Sequence, residues 1–244
     1  MDIDLAYDHY VAVQRNYLVS LIATKLMLGN DHAKDQIEAH LQVAAGFDPK
    51  TERSRLHKFG VELIDWAHKE NETEFQGIRR AYLVNACGAL ENLAKCCFVS
   101  WVGEDPEVTE RVQARRMSFT LSEFLYGDHQ DRVFAAADRV FQEVDGHRPF
   151  NRFCSYLRPL VPAQFADRLS SLEEINAECF NEAFLIRNRL VHHGASADVR
   201  LSKKFGISKG EPLIISRDHV AGYMRTLDAM ASVIKFVTPP ILDI

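Results

Sequence analysis

The stretch from Ala81 to Phe98, AYLVNACGALENLAKCCF, constrains this chain more than any other, because only Asn85, Glu91, Asn92 and Lys95 in it are clearly polar. A helix apolar on nearly every side belongs at the centre of a protein, with other helices packed around it. The run extends from about Phe75 to Trp101, several times the length of an ordinary strand, and its apolar positions do not alternate. One long, buried helix is therefore expected here.

The flanking sequence carries the same helical period. Residues 3–28 read as a first helix closed by Gly29-Asn30, a pair suited to a left-handed turn. Asp31 is placed to cap a second helix to about Ala45, and Asp48-Pro49 precedes a third from about Thr51 to Lys69. The polar run Lys69 to Glu74 marks the boundary between an N-terminal extension, 1–72, packing on the core, and the domain that holds the apolar helix, 73–244. Shorter helices are expected at about 104–116, 119–126, 129–144 and 147–158, broken at Gly103, Gly127-Asp128, Gly146 and Pro159 to Pro162. A long helix follows from about Ser171 to Gly194, and a last one runs from Ser216 or Asp218 to about Val237, stopped by Pro239-Pro240. Between them, Val199–Phe205 and Leu213–Ser216 read as arms of a small β-hairpin. The fold class is all-α, a helical bundle with additional N-terminal helices.

Net charge −5 over 244 residues argues against broad binding to nucleic-acid backbone, which needs a cationic surplus on the binding face. It leaves room for a small basic site. Arg79-Arg80, the RVQARR run at 111–116 and Lys203-Lys204 read as solvated faces. The five cysteines lack C-x-x-C spacing and sit mostly in apolar runs, as reduced, buried thiols do. His192-His193 is adjacent instead of i, i+4, and Asp4, Asp8 and His9 lack apolar shielding, so neither metal site nor cofactor is expected. The N-terminus has no basic, apolar leader and no segment reaches a membrane span, which places the chain in the cytoplasm.

The chemistry concentrates at the end of the 171–194 helix. At about 100° per residue, Glu178, Glu182, Arg189 and His193 share one face, read as a solvent stripe. Cys179, Ala183, Ile186 and Leu190 form one apolar flank, and Phe180, Phe184 and Val191 another. Arg187 projects between these flanks, where a guanidinium needs an anionic partner or a ligand. Glu91 is the partner expected, because it lies among Val84, Cys87 and Phe98 on the central helix; bidentate contact would hold the guanidinium while leaving donors for a phosphate. Asn188 and His192 are neighbours at i, i+4 and, with Asn181, make a polar edge beside Arg187. A histidine near neutral pKa can move the proton of an RNA 2′-hydroxyl, and an arginine can neutralise the charge that develops on phosphorus. A complete acid and base pair needs a second histidine. His193 points about 100° away, so His192 of a second copy is the expected source.

The stretch IRNRLVHHGASADVRL with PLIIS, the closing helix and the ALENL segment of the central helix resembles the HEPN family over about residues 76–240. The resemblance implies a compact helical bundle that dimerises so that two R-N-x-x-x-H motifs face one cleft. It further implies a metal-independent endoribonuclease of toxin, abortive-infection or antiviral type. Carried over residue by residue, it marks Arg187, Asn188 and His192 as catalytic and Glu91 as supporting. The implied partners are an RNA such as tRNA or a single-stranded loop, a second copy, and an antitoxin or defence-system protein. Some family toxins carry a modifiable tyrosine two residues after the histidine; Gly194 stands there. A noncatalytic adaptor that binds nucleotide or protein is the rival reading.

Overall fold

The computed structural model describes residues 3–29, 53–104, 129–143, 148–193 and 195–238, with isolated positions at 32, 36, 39, 107 and 110. Those residues form an all-helical fold: α1 (Ile3–Leu28), α2 (Arg53–Glu72), α3 (Gln76–Glu104), α4 (His129–Glu143) and α5 (Pro149–Leu157), then a 3-10 segment (Ala163–Glu174), α6 (Ala177–His193), α7 (Val199–Phe205) and α8 (Arg217–Val237). Among them the only β-type pairing is an isolated bridge between Ser196 and Pro212. None of these helices is long and apolar enough to cross a membrane. The helices expected at 31–45, 104–116 and 119–126 lie largely or wholly outside the described residues.

The chain divides into two compact units, one of Met1–Gln14 with Leu83–Ile244 and the other of Arg15–Tyr82. The second unit holds a sharp corner between α2 and α3, where Glu74 and Phe75 take positive φ of 54° and 63°. The Glu70 carboxylate reaches across that corner to accept the Ile78 N–H at 3.1 Å. It fills the space beside Gly77, where a Cβ would collide with it. The missing side chain of Gly77 is what lets the carboxylate come so close.

In the first unit the apolar part of α3 is the core, as its pattern requires: Leu83, Leu90, Leu93, Ala94 and Cys97 are fully buried. Its end is fastened by the Trp101 indole N–H, which donates to the Val237 carbonyl at 2.9 Å. Phe141 of α4 packs edge-on against Phe153 and Tyr156 of α5, with centroids 5.1 and 5.0 Å away. Helix α8 lays Val220, Tyr223, Leu227, Met230 and Ile234 on the core. Its first turn is closed by the Ser216 hydroxyl, which accepts the His219 N–H at 3.1 Å. Tyr10 of α1 donates to Asp228 on α8 at 2.9 Å.

Two boundaries differ from the sequence reading. The motif helix starts at Ala177, not near Ser171, because Ser171–Glu174 ends the 3-10 segment and Ile175 is extended. Asn176 then caps α6 by accepting the Cys179 N–H at 3.0 Å. The expected hairpin arm Val199–Phe205 is instead the helix α7. Asp198 caps it, accepting the N–H groups of Arg200 and Leu201, both at 2.9 Å, and Gly206 ends it in the left-handed region at φ 65°. The strand-like apolar content of VRLSKKF is overridden by caps at both ends.

Candidate functional site

Helix α6 is anchored by its aromatic flank. Phe180 and Phe184 stack at 4.9 Å and receive Phe153 of α5 at 5.2 and 5.6 Å. The same helix fastens the start of α5, since Asn181 Oδ1 accepts the Phe150 N–H at 2.8 Å. This satisfies one of the donors that every helix N-terminus leaves open. It also brings Arg152 to the side of the motif.

Arg187 is held from two directions. Its Nη2 donates to Glu91 Oε2 at 3.1 Å and its Nη1 to Asn188 Oδ1 at 2.9 Å. The bidentate carboxylate contact expected from the sequence is thus a single one, because Asn188 takes the other terminal nitrogen. The side chains of Arg187 and Glu91 are 22% and 23% exposed, so the pair is desolvated but open to a cleft. Nε of Arg187 is buried without a hydrogen-bond partner among the described residues. Burial pushes the Glu91 carboxyl above its ordinary range, outweighing the opposite pull of Arg187, Lys95 and Arg152.

The cleft above this pair has a volume of about 520 Å³, and Glu91, Arg152, Arg187, Asn188, His192 and His193 all border it. Both histidines are exposed in the last turn of α6, with ring centroids 6.3 Å apart. His193, on the next position around the helix from His192, thus borders the same cleft. Two rings about 100° apart on a helix can still flank one opening, and here they sit where the helix ends and the chain turns away at Ala195, φ 64°.

The stripe read as solvent-facing is so at Glu178 and His193, which are exposed, but is corrected at Glu182 and Arg189. Glu182 accepts the Tyr223 hydroxyl and pairs with Lys204 at 2.6 Å, leaving its side chain 12% exposed. Arg189 Nε donates to the Ser196 carbonyl at 2.6 Å. Helices α7 and α8 contact this face at Glu182, and α7 was the element misread as a strand.

Two residues that border the cleft were not singled out in the sequence. Asp198 keeps its carboxyl below the ordinary range, chiefly through the Leu201 N–H, with the Arg200 N–H and the Arg189 and Arg200 charges adding to it. Its signal was present as an Asp one residue before VRL, a helix-start pattern. Arg152 was legible only as an arginine beside the Phe150 and Phe153 stripe, much as Arg187 lies beside Phe184.

The arrangement offers a fixed guanidinium with an uncommitted N–H, an amide, and two imidazoles about one cleft. That set can bind a phosphodiester and move protons at its oxygens. Among the described residues no group of three or more His, Cys, Asp or Glu is placed to hold a metal ion. No protein-family model, curated protein or solved structure matches the chain.

Proposed function

We propose that this protein is a metal-independent endoribonuclease that cleaves RNA by 2′-hydroxyl transesterification at Arg187, Asn188 and His192, with Glu91 as the support of Arg187. The observation that carries this reading is the restraint of Arg187 by Glu91 and Asn188 at the edge of the cleft that His192 also borders. In the reaction one imidazole takes the 2′-hydroxyl proton as that oxygen attacks phosphorus. The P–O5′ bond breaks, and a second imidazole protonates the leaving 5′-oxygen. Arg187 offsets the charge on the non-bridging oxygens. The second imidazole comes from His192 of another copy in a homodimer; His193 in the same cleft is the in-chain alternative. The HEPN resemblance implies a role in prokaryotic defence or in a toxin–antitoxin pair.

The test is incubation with tRNA and total RNA in EDTA, followed by analysis of product ends. The expected products carry 2′,3′-cyclic phosphate and 5′-hydroxyl ends and disappear with His192→Ala. A magnesium requirement or 5′-phosphate ends would sink the mechanism. A noncatalytic nucleotide-binding or protein-binding adaptor is the second reading, favoured by the net charge of −5. Absence of cleavage by a folded wild-type protein would favour it.

A further inference from the structure

A second cavity of about 650 Å³ continues from the first along α6, and the two share Pro149, Arg152, Leu185 and Asn188. Arg148, Arg200 and Lys204 join Arg152 in lining it, opposite Glu178 and Glu182. Those two carboxylates are already engaged, because Lys204 bonds Glu178 at 3.1 Å and Glu182 at 2.6 Å. Arg148, Arg152 and Arg200 make no ion pair with a carboxylate among the described residues, in a chain with 34 acidic residues against 29 Lys and Arg. The Nε of Arg152 is buried and has no hydrogen-bond partner.

We infer that this second cavity is the track for the single-stranded RNA flanking the cut, with Arg152 at the junction of the two cavities holding the phosphate next to the one cleaved. The inference rests on the endoribonuclease reading. A guanidinium presents planar paired donors that match phosphate oxygens, and Arg152 and Arg200, which act on Glu91 and Asp198 through space without pairing with them, keep those donors for an anion. Pro149 and Leu185, common to both cavities, give a nucleotide an apolar surface between the two phosphates. Arg200 extends the cationic edge beyond the α6 contacts. A footprint of a few phosphates reconciles RNA binding with an acidic protein, since only the groove must be cationic.

The experiment measures binding of the full-length protein to a fluorescein-labelled, fully 2′-O-methylated single strand of about 12 nucleotides, by anisotropy over a range of KCl concentrations. Arg152→Gln and Arg200→Gln should each weaken binding by about three- to tenfold and lower the salt slope by about 0.7, the value for one phosphate contact to a single strand. Arg225→Gln, an equal loss of charge on α8 outside both cavities, should change neither. Arg200 is exposed, so its variant keeps the test open if Arg152→Gln fails to fold. If the wild type cleaves RNA but both variants bind with unaltered affinity and slope, the track is wrong and the nuclease reading stands. A dinucleotide probe that loses as much affinity from Arg200→Gln as the long strand does would also overturn the track. No binding and no cleavage by the wild type would remove both. Arg152- and Arg200-dependent binding without cleavage would keep the track and remove the nuclease.

Discussion

Arg187 and His192 belong to one motif, yet they stand in different physical situations. His192 is exposed at a helix end, so His192→Ala should leave melting unchanged while lowering cleavage by about a hundredfold or more, the scale for removing a general acid or base. Arg187→Ala should also abolish cleavage, but with a stability loss on the order of 1 kcal/mol, since it strands the desolvated Glu91 carboxylate. Equal destabilisation by the two variants would contradict this assignment. Glu91 itself makes a pH-dependent contribution. Its carboxyl is raised by burial, so ionising it costs folding stability. The stability linked to Glu91 is therefore present below the ordinary carboxylate range and is lost as pH rises through the shifted titration. Glu91→Gln keeps an acceptor for Arg187 and removes that slope, so its melting temperature should gain on the wild type between acid and neutral pH. Glu91→Leu leaves the Arg187 Nη2 donor without its acceptor and should lose on the order of 1 to 3 kcal/mol. Parallel melting profiles for Glu91→Gln and wild type would show that burial does not dominate at this carboxyl.

At the scale of elements, helices with a broad apolar pattern were legible and those set by local caps were less so. The stretch read as Phe75 to Trp101 is α3, Gln76–Glu104, because no other structure buries so many consecutive apolar groups. The Glu91 contact with Arg187 followed from helical rotation alone. Helix α7 was missed because its seven residues are too few for a periodicity, and what decides them is Asp198 in front and Gly206 behind. The late start of α6 has the same origin, in the Asn176 cap and the extended Ile175. Asp198→Ala removes the acceptor for two N–H groups of α7 and should cost about 0.5 to 2 kcal/mol. Because α7 carries Lys204 against Glu178 and Glu182, the loss should appear in thermal melting and as faster amide exchange in the first two turns of α6. If exchange changes in α7 alone, the two helices are not mechanically linked.

For the whole molecule, the sequence suggested a small basic footprint within an acidic protein, but it could not bring α5 beside α6. That neighbourhood depends on aromatic packing between residues about thirty positions apart, for which no local pattern exists. The two-copy arrangement makes its own prediction. With His192 from both copies at one cleft, mixing His192→Ala protein with wild type should depress cleavage below the wild-type fraction, and His193→Ala should keep most activity. Activity proportional to the wild-type fraction, with His193→Ala as inactive as His192→Ala, would instead place both imidazoles in one chain. The bond from the Phe150 amide to Asn181 has a further use in following such experiments. It ties the helix bearing Arg152 to the helix bearing the motif, so that one backbone proton lies at their junction. Its nuclear magnetic resonance signal would respond to occupancy on either side, giving a single spectroscopic reporter of whether the two helices bind a strand together or in turn.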